Sequence, residues 1–253
     1  MDNAQDDSKH KFGLVGRDIS YSFSRGYFAD KFKNENLPHS YVNFDLQSID
    51  ELGAIIENTP NLKGLNVTIP YKEEVIPMLD GLNKRARKIG AVNTIRITRS
   101  HKLIGYNTDY YGFRNSLKPH LKKHHKRALI LGTGGASKAI AYALKKLKIE
   151  FDYVSRAKKE GVTFLYSDLT DEIIASYSII INCTPIGTFP NINECPAIPY
   201  DAITEKHILY DLIYNPEQTK FLSTGNLKGA TTINGLEMLR LQAEKSWQIW
   251  NKS

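Results

Sequence analysis

The chain has 253 residues, 41% hydrophobic and 24% charged, the composition of a folded soluble protein with one large or two modest domains. No run approaches the roughly 18 consecutive apolar residues that crossing a bilayer takes, and the opening "MDNAQDDSKHK" lacks the basic-then-apolar order of a secretory signal, so a cytoplasmic protein without a membrane role is expected. A net charge of +7 favours anionic partners, yet "NKRARK" (83–88) and "KKHHKR" (122–127) are short, separated and without interleaved aromatics, so they read as basic surface loops rather than a nucleic-acid site.

In chain order, "KFGLVG" reads as a strand, 24–36 as a helix with Phe28 and Phe32 at helical intervals, and "SYVNFDL" as a strand again. "SIDELGAIIEN" is a helix with Ser48 as cap and Glu51 three positions later as a capping box. "LKGLNVTI" is the next strand, and Pro70 suits the first turn of a short helix behind it. Strands alternating with helices predict a mainly parallel, covered sheet and an α/β fold. A second series starts at 128: the strand "ALILG", a helix with Ala136, Ala139, Ile140, Ala143, Leu144 and Leu147 on one face, then the strands "FDYVS", "SIIINCT", "HILYDLIY" and "GATTING". The last helix, 236–250, sets Leu236, Leu239, Ala243, Trp247 and Trp250 on its buried stripe. Two α/β units joined near 105–125 follow.

Cys183 and Cys195 are too far apart for a CxxC pair and too few for a disulfide framework, so reduced structural thiols are expected. The seven histidines show no metal-ligand spacing. His124 and His125 fall inside "KKHHKR", which reads as a solvated linker, and no metal is expected.

"ALILGTGGASKAIAYAL" is a strand, a glycine turn and a helix. Gly132 permits the tight turn, Gly134 lets the backbone approach a pyrophosphate, and the amides that open the helix face the anion. Ser137 stands where the third glycine of the dinucleotide pattern belongs. An NAD site wants a carboxylate at the end of the second strand, but Asp152 lies inside "FDYVS", before that strand ends. At the end itself stands "SRAKK" (155–159). Ser155 can donate to a phosphate, Arg156 can lie against adenine or a 2′-phosphate, and Lys158 and Lys159 add charge, which selects NADP over an ordinary basic turn.

In the first series, "GLNVTIPYK" ends on Lys72, which Glu73 and Glu74 could pair as an ordinary surface lysine. "AVNT" (91–94) and "GYNTD" (105–109) place amides, hydroxyls and a carboxylate at neighbouring strand ends, where open α/β sheets bind ligands, although asparagine and threonine also form turns there.

On these residues the chain resembles shikimate dehydrogenase, from about residue 12 to 250. The resemblance is carried by "NVTIPYKEE", "GAVNT", "GYNTDYYGF", "LGTGGASKA", "INCTPIGT", "DLIYNPEQTKFL" and "NGLEMLRLQAEKSW", in that order. It implies an N-terminal α/β substrate-binding domain, 11–110 completed by 235–253, and a Rossmann-type NADP domain, 111–234. The implied activity is reversible reduction of 3-dehydroshikimate to shikimate with NADPH, in aromatic amino acid biosynthesis, by a monomer or homodimer. Hydride delivery to a ketone leaves charge on its oxygen, so a proton donor or cation must stand beside it. Lys72 fits that role, with Asp109 to hold and orient the ammonium. The resemblance further implies that Ser22 and Ser24 bind the substrate carboxylate and that Thr68, Asn93 and Asp109 bind ring hydroxyls. Tyr214 and Gln242 complete the substrate set. On the cofactor side it places Gly132, Thr133, Gly134, Gly135, Ala136 and Ser137 at the phosphates, Ser155, Arg156, Lys158 and Lys159 at the 2′-phosphate, and Thr184, Leu212 and Gly235 by the nicotinamide.

The chain departs from the family pattern in "GRDISYSFSR", which has neither of the usual prolines and carries Tyr21 for a histidine. Ala157 replaces a threonine, Glu160 a basic residue and Phe189 a methionine, and 157–172 is short for a full crossover helix. A quinate/shikimate dehydrogenase of the same family, or a non-catalytic binding protein on this scaffold, are the alternative readings. The intact Lys72 and Asp109 disfavour the second.

Overall fold

The structure is a computed structural model that describes residues 9–20 and 22–252. The chain forms two compact units, one running up to Thr108 and resumed from Ala243 on, the other spanning Asp109–Gln242.

The first unit contains β1 (Lys11–Gly16), α1 (Phe23–Asn34), β2 (Ser40–Asp45), α2 (Leu52–Asn58), β3 (Leu62–Val67), β4 (Gly81–Leu82), α3 (Lys84–Ile89), β5 (Thr94–Ile97) and β6 (Leu103–Tyr106). Its strands lie in the order β2-β1-β3-β5-β6-β4. β1 pairs parallel with β2 and β3, whereas β5 runs antiparallel to both β3 and β6. That single reversal brings the start of β5 to the same edge as the ends of β1, β3 and β6. Phe12, Phe28, Phe32, Tyr41, Ala243 and Trp250 pack as one buried cluster, and Val15, Leu65, Val67, Val75 and Ile95 as another. Each large apolar side chain so buried contributes about 1.5–3 kcal/mol of transfer free energy. Trp250 lies so close to the sheet that a Cβ on Gly64 would stand 2.2 Å from its indole, and the indole N–H donates to Ile95 O at 3.0 Å.

Ser48 forms the expected capping box with Glu51, whose carboxylate accepts from the Ser48 N–H at 2.8 Å; a short 3-10 turn over Ile49–Glu51 then leads into α2. Pro70 does not open a helix. The segment behind it is a chain of turns ending in a 3-10 turn over Ile76–Met78, where the Ile76 N–H bonds Glu73 O at 3.1 Å. Pro77 has no N–H to bond Glu73 in the helical pattern, so the ladder cannot propagate.

The second unit contains α4 (Asp109–Leu117), β7 (Arg127–Leu131), α5 (Gly135–Leu147), β8 (Glu150–Ser155), β9 (Phe164–Leu165), α6 (Asp171–Ala175), β10 (Ile179–Asn182), β11 (Ile208–Asp211), α7 (Lys220–Leu227) and β12 (Thr231–Ile233). Its strands pair in the order β12-β11-β10-β7-β8-β9, every neighbour parallel. Leu129, Leu131, Val154, Ile174, Ile180, Leu209 and Phe221 form its core. Between β9 and β10 stand a 3-10 turn over Tyr166–Asp168 and the five-residue α6, in keeping with the short 157–172 stretch. A final helix, α8 (Leu236–Trp250), gives the residues up to Gln242 to this unit and those from Ala243 to the first. Its buried side chains are Met238, Gln242, Ala243, Ser246, Ile249 and Trp250, whereas Leu236, Leu239 and Trp247 are only partly covered.

"KKHHKR" is not uniformly solvated. His125 is buried, its Nδ1 accepts from the Lys122 N–H at 2.8 Å, and its Nε2 lies 3.3 Å from Lys206 O. Beside it, at the start of β7, β10 and β11, a cavity of about 350 Å³ is lined by His124, Lys126, Arg127, Ser178, Lys206 and His207, among others. His207 is also buried, and its Nδ1 accepts from the Thr204 N–H at 3.0 Å. Burial, reinforced by neighbouring histidines, holds both imidazoles below the ordinary value of 6.5. Depressed folded-state values mean that the unfolded chain takes up protons first. Their stabilising contribution is therefore complete above 6.5 and is lost as pH falls below it. The melting temperature should drop between pH 7.5 and 6.0, and His207→Asn, whose amide oxygen can still accept from Thr204, should flatten that drop. An unchanged slope in scanning calorimetry would contradict the assignment.

Candidate functional site

The reversed β5 gathers the polar strand ends of the first unit at one edge. Thr68 follows β3, and its backbone N–H bonds Val15 O at 2.9 Å. Its side chain covers Gly16, where an added Cβ would lie 2.5 Å from the threonine methyl. Val67 N–H donates to Asn93 O at 2.9 Å and Val92 N–H to Lys72 O at 2.7 Å. Thr68, Lys72 and Asn93 are thus tied together through the main chain. Lys72 is half-buried and Asn93 is 3% exposed.

The amide of Asn93 is oriented by its partners. The Thr108 N–H, a donor only, reaches its Oδ1 at 2.6 Å, so that end of the amide is the oxygen, and its Nδ2 donates to Thr108 Oγ1 at 2.9 Å. Ser22 and Ser24 open α1. Ser22 caps the helix by accepting from the Arg25 N–H at 3.3 Å. Ser24 is buried beside Tyr41, whose phenol burial pushes up while the serine hydroxyl works the other way. Tyr21, the family-divergent residue before this pair, lies outside the described residues.

In the second unit, β7 runs into the glycine turn, and the Gly132 N–H donates to Val154 O at 2.9 Å, which sets the turn against the end of β8. Gly132 has φ 102°, and a Cβ there would sit 3.0 Å from the Thr184 methyl, so the turn and Thr184 are neighbours and no larger residue suits the position. Gly134 differs. A Cβ there would meet nothing within 4 Å, so its lack of a side chain leaves open space at the start of α5. As the N-cap residue, Gly134 also has no side chain with which to cap that helix. An uncapped helix N-terminus behind such a space suits an anion. Thr133, Gly135 and Ala136 are partly exposed around it. Ser137 replaces the third glycine without loss, because its buried hydroxyl donates to Gly134 O at 2.6 Å.

Ser155 ends β8, is buried, and accepts from the Ala157 N–H at 3.3 Å. Arg156, Lys158 and Lys159 behind it are exposed. Asp152 is committed elsewhere: it accepts from Thr163 Oγ1 at 2.7 Å and from Tyr177 OH at 2.6 Å. Its carboxylate is part of the fold, which leaves the basic segment as the polar end of this strand.

Two residues that the sequence reading did not single out organise the positions of Thr184 and Leu212. Asp211, fully buried, accepts from Asn182 Nδ2 and the Ile213 N–H, each at 3.1 Å, and from Thr219 Oγ1 at 2.7 Å. Burial raises its carboxyl from 3.8 to about 6, against these three hydrogen bonds. Asn182 in turn accepts from the Thr184 hydroxyl at 2.6 Å, and its carbonyl receives the Leu212 N–H at 3.1 Å. The loops bearing Thr184, Leu212 and the half-buried Tyr214 therefore hang from one Asp–Asn pair. Gly235 packs beneath: a Cβ there would be 2.1 Å from Leu212 O. Gln242 is buried and donates to Leu239 O at 3.0 Å, Asp109 is buried in the first turn of α4, and Phe189 is largely exposed. The signal for Asp211 and Asn182 was a polar residue at the end of an otherwise fully apolar strand.

Among the described residues no cluster of three or more His, Cys, Asp or Glu is placed to hold a metal ion, and no helix is long and apolar enough to cross a membrane.

The same residues fall within recognised relationships. Residues 14–95 match the shikimate dehydrogenase substrate binding domain. The NADP(+) shikimate dehydrogenase of Methanosphaera stadtmanae is 38% identical over an alignment that covers 94% of this chain and 90% of its own. Shikimate dehydrogenase 1 from Peptoclostridium difficile is 39% identical and superposes with a TM-score of 0.81 over 95% of this chain and 91% of that one. The shikimate 5-dehydrogenase of Thermus thermophilus, solved with NADP(H) and shikimate, is 28% identical with a TM-score of 0.84 over 96% and 93%.

Proposed function

The chain belongs to the shikimate dehydrogenase family, and from that premise we propose how its residues divide the work of reducing 3-dehydroshikimate to shikimate. It is an NADP-dependent oxidoreductase of the α/β class, with a substrate-binding unit and a Rossmann-type cofactor unit. The observation that carries the residue assignment is the convergence of Thr68, Lys72 and Asn93 at one sheet edge, within the residues matched to the substrate-binding domain.

NADPH, when bound, supplies the hydride. For its pyrophosphate the chain offers Gly132 to Ser137, with the open space at Gly134 and the uncapped start of α5. For the 2′-phosphate it offers Ser155, Arg156, Lys158 and Lys159, a cationic set at the end of a strand whose own carboxylate, Asp152, is already engaged. Thr184, Leu212 and Gly235 are assigned to the nicotinamide side. The substrate carboxylate is assigned to Ser22 and Ser24, and its hydroxyls to Thr68, Asn93, Asp109, Tyr214 and Gln242. Lys72 and Asp109 are assigned as the acid/base pair: an ammonium beside the ketone oxygen neutralises the charge that grows there and delivers the proton, and the carboxylate has the role of holding and orienting that ammonium. The 11–110 and 235–253 segments as substrate domain, 111–234 as NADP domain, action in the cytoplasm as a monomer or homodimer, and independence from nucleic acid belong to the same proposal.

Lys72→Ala should lower turnover by about 10²-fold or more with little change in shikimate KM, because the charge is needed mainly as the oxygen develops its own. A rise in KM alone would assign Lys72 to binding. Arg156→Ala should weaken NADP far more than NAD in steady-state kinetics, and an unchanged preference would contradict the cofactor assignment.

A further inference from the structure

Beneath Asn93 lies a set of buried polar side chains that the assigned reaction does not use directly. Thr94, Thr108 and Ser246 are fully buried, and Asn66 nearly so. Asn66 Nδ2 faces Asn93 O at 3.2 Å, an acceptor only, so this end of the amide is the donor. Its Oδ1 then accepts from Tyr41 OH at 2.8 Å. The same Nδ2 also reaches Ser246 Oγ at 3.0 Å. Ser246 Oγ also lies 2.8 Å from Thr94 Oγ1 and 3.2 Å from Thr108 Oγ1, and in each pair either hydroxyl can donate. Thr94 Oγ1 donates to Asn93 Oδ1 at 3.1 Å. Tyr41, Asn66, Ser246, Thr94 and Asn93 are therefore linked in one continuous chain of hydrogen bonds.

We infer that Ser246, on the C-terminal helix α8, is a positioning residue that holds the Thr94 and Thr108 hydroxyls against the Asn93 amide; this rests on the assignment of Asn93 to the substrate. Ser246 itself touches no reacting atom. Without its hydroxyl, Thr94 and Thr108 keep their bonds to Asn93 and to each other but lose the shared partner that holds both in place. Other hydroxyls of the unit, such as those of the half-buried Thr98 and the exposed Ser100, bond within their own turn. Ser246 instead joins a helix to two threonines from different segments.

The test uses the full chain with Ser246→Ala and Ser246→Cys, the latter keeping the volume while offering only a weak donor and acceptor. Both should raise the shikimate KM by about 3- to 10-fold, the worth of one buried hydrogen bond, with NADP⁺ KM unchanged. In an Asn93→Ala background, Ser246→Ala should add less than about twofold, because the two residues act as one unit. A Cys variant with wild-type KM would show that Ser246 only fills space and would overturn the inference, as would the full effect persisting without Asn93. An unmutated chain that turns over no shikimate would sink the functional reading instead. The network is then read directly from Asn93 side-chain amide exchange by NMR, which Ser246→Ala should accelerate by about tenfold or more. An unchanged exchange rate overturns the inference.

Discussion

Buried hydroxyls and amides must find their partners within the fold, and in the first unit that constraint ties together the polar residues at one edge of the sheet. Tyr41, Asn66, Thr94 and Ser246 come from β2, β3, β5 and α8, with Asn93 and Thr108 from the segments beside β5 and β6, and all are buried. These six carry no formal charge, so the set desolvates no ion of its own, but every donor must find its acceptor. The helix is held to one register by this demand. Ser246 and Trp250, one turn apart on the same face, reach the threonine hydroxyls and the Ile95 carbonyl together. A shift of one residue along α8 would break both.

The second unit applies the same logic around a carboxylate. Asp211 sits at the end of a fully buried strand and is surrounded by donors from β10, from its own loop and from the start of α7. Burial disfavours its ionised form, and three hydrogen bonds partly offset that cost. Two loops are set at once, because Asn182 carries the orientation on to Thr184 and Leu212. Both units thus place a rigid, satisfied polar group behind the residues assigned to ligands, the arrangement that holds a site to its geometry.

Much of this was legible in the residues themselves. The Ser48 box, the glycine turn, the helix after it and the parallel strands from 128 on follow from local chemistry and periodicity. Pro70 misled because the rule that admits proline at a helix start says nothing of a second proline further along, and Pro77 removed the donor the helix needed. "KKHHKR" misled because a hydrophilic run gives no sign that Lys206 will bring a carbonyl to His125 from 81 residues away. The buried network was hidden for a similar reason. Asn66 inside "LNV" and Ser246 inside the last helix are odd polar residues in apolar settings, and only pairing across strands and helix shows that they complete one another.

The most direct measurement of the central claim is the appearance of reduced nicotinamide when the unmutated chain is mixed with shikimate and NADP⁺, alongside the same assay with quinate or NAD⁺. The account predicts a clear signal with the first pair and a much weaker one on replacing either component. No signal with any pair would contradict it and leave a binding protein on an enzyme's scaffold.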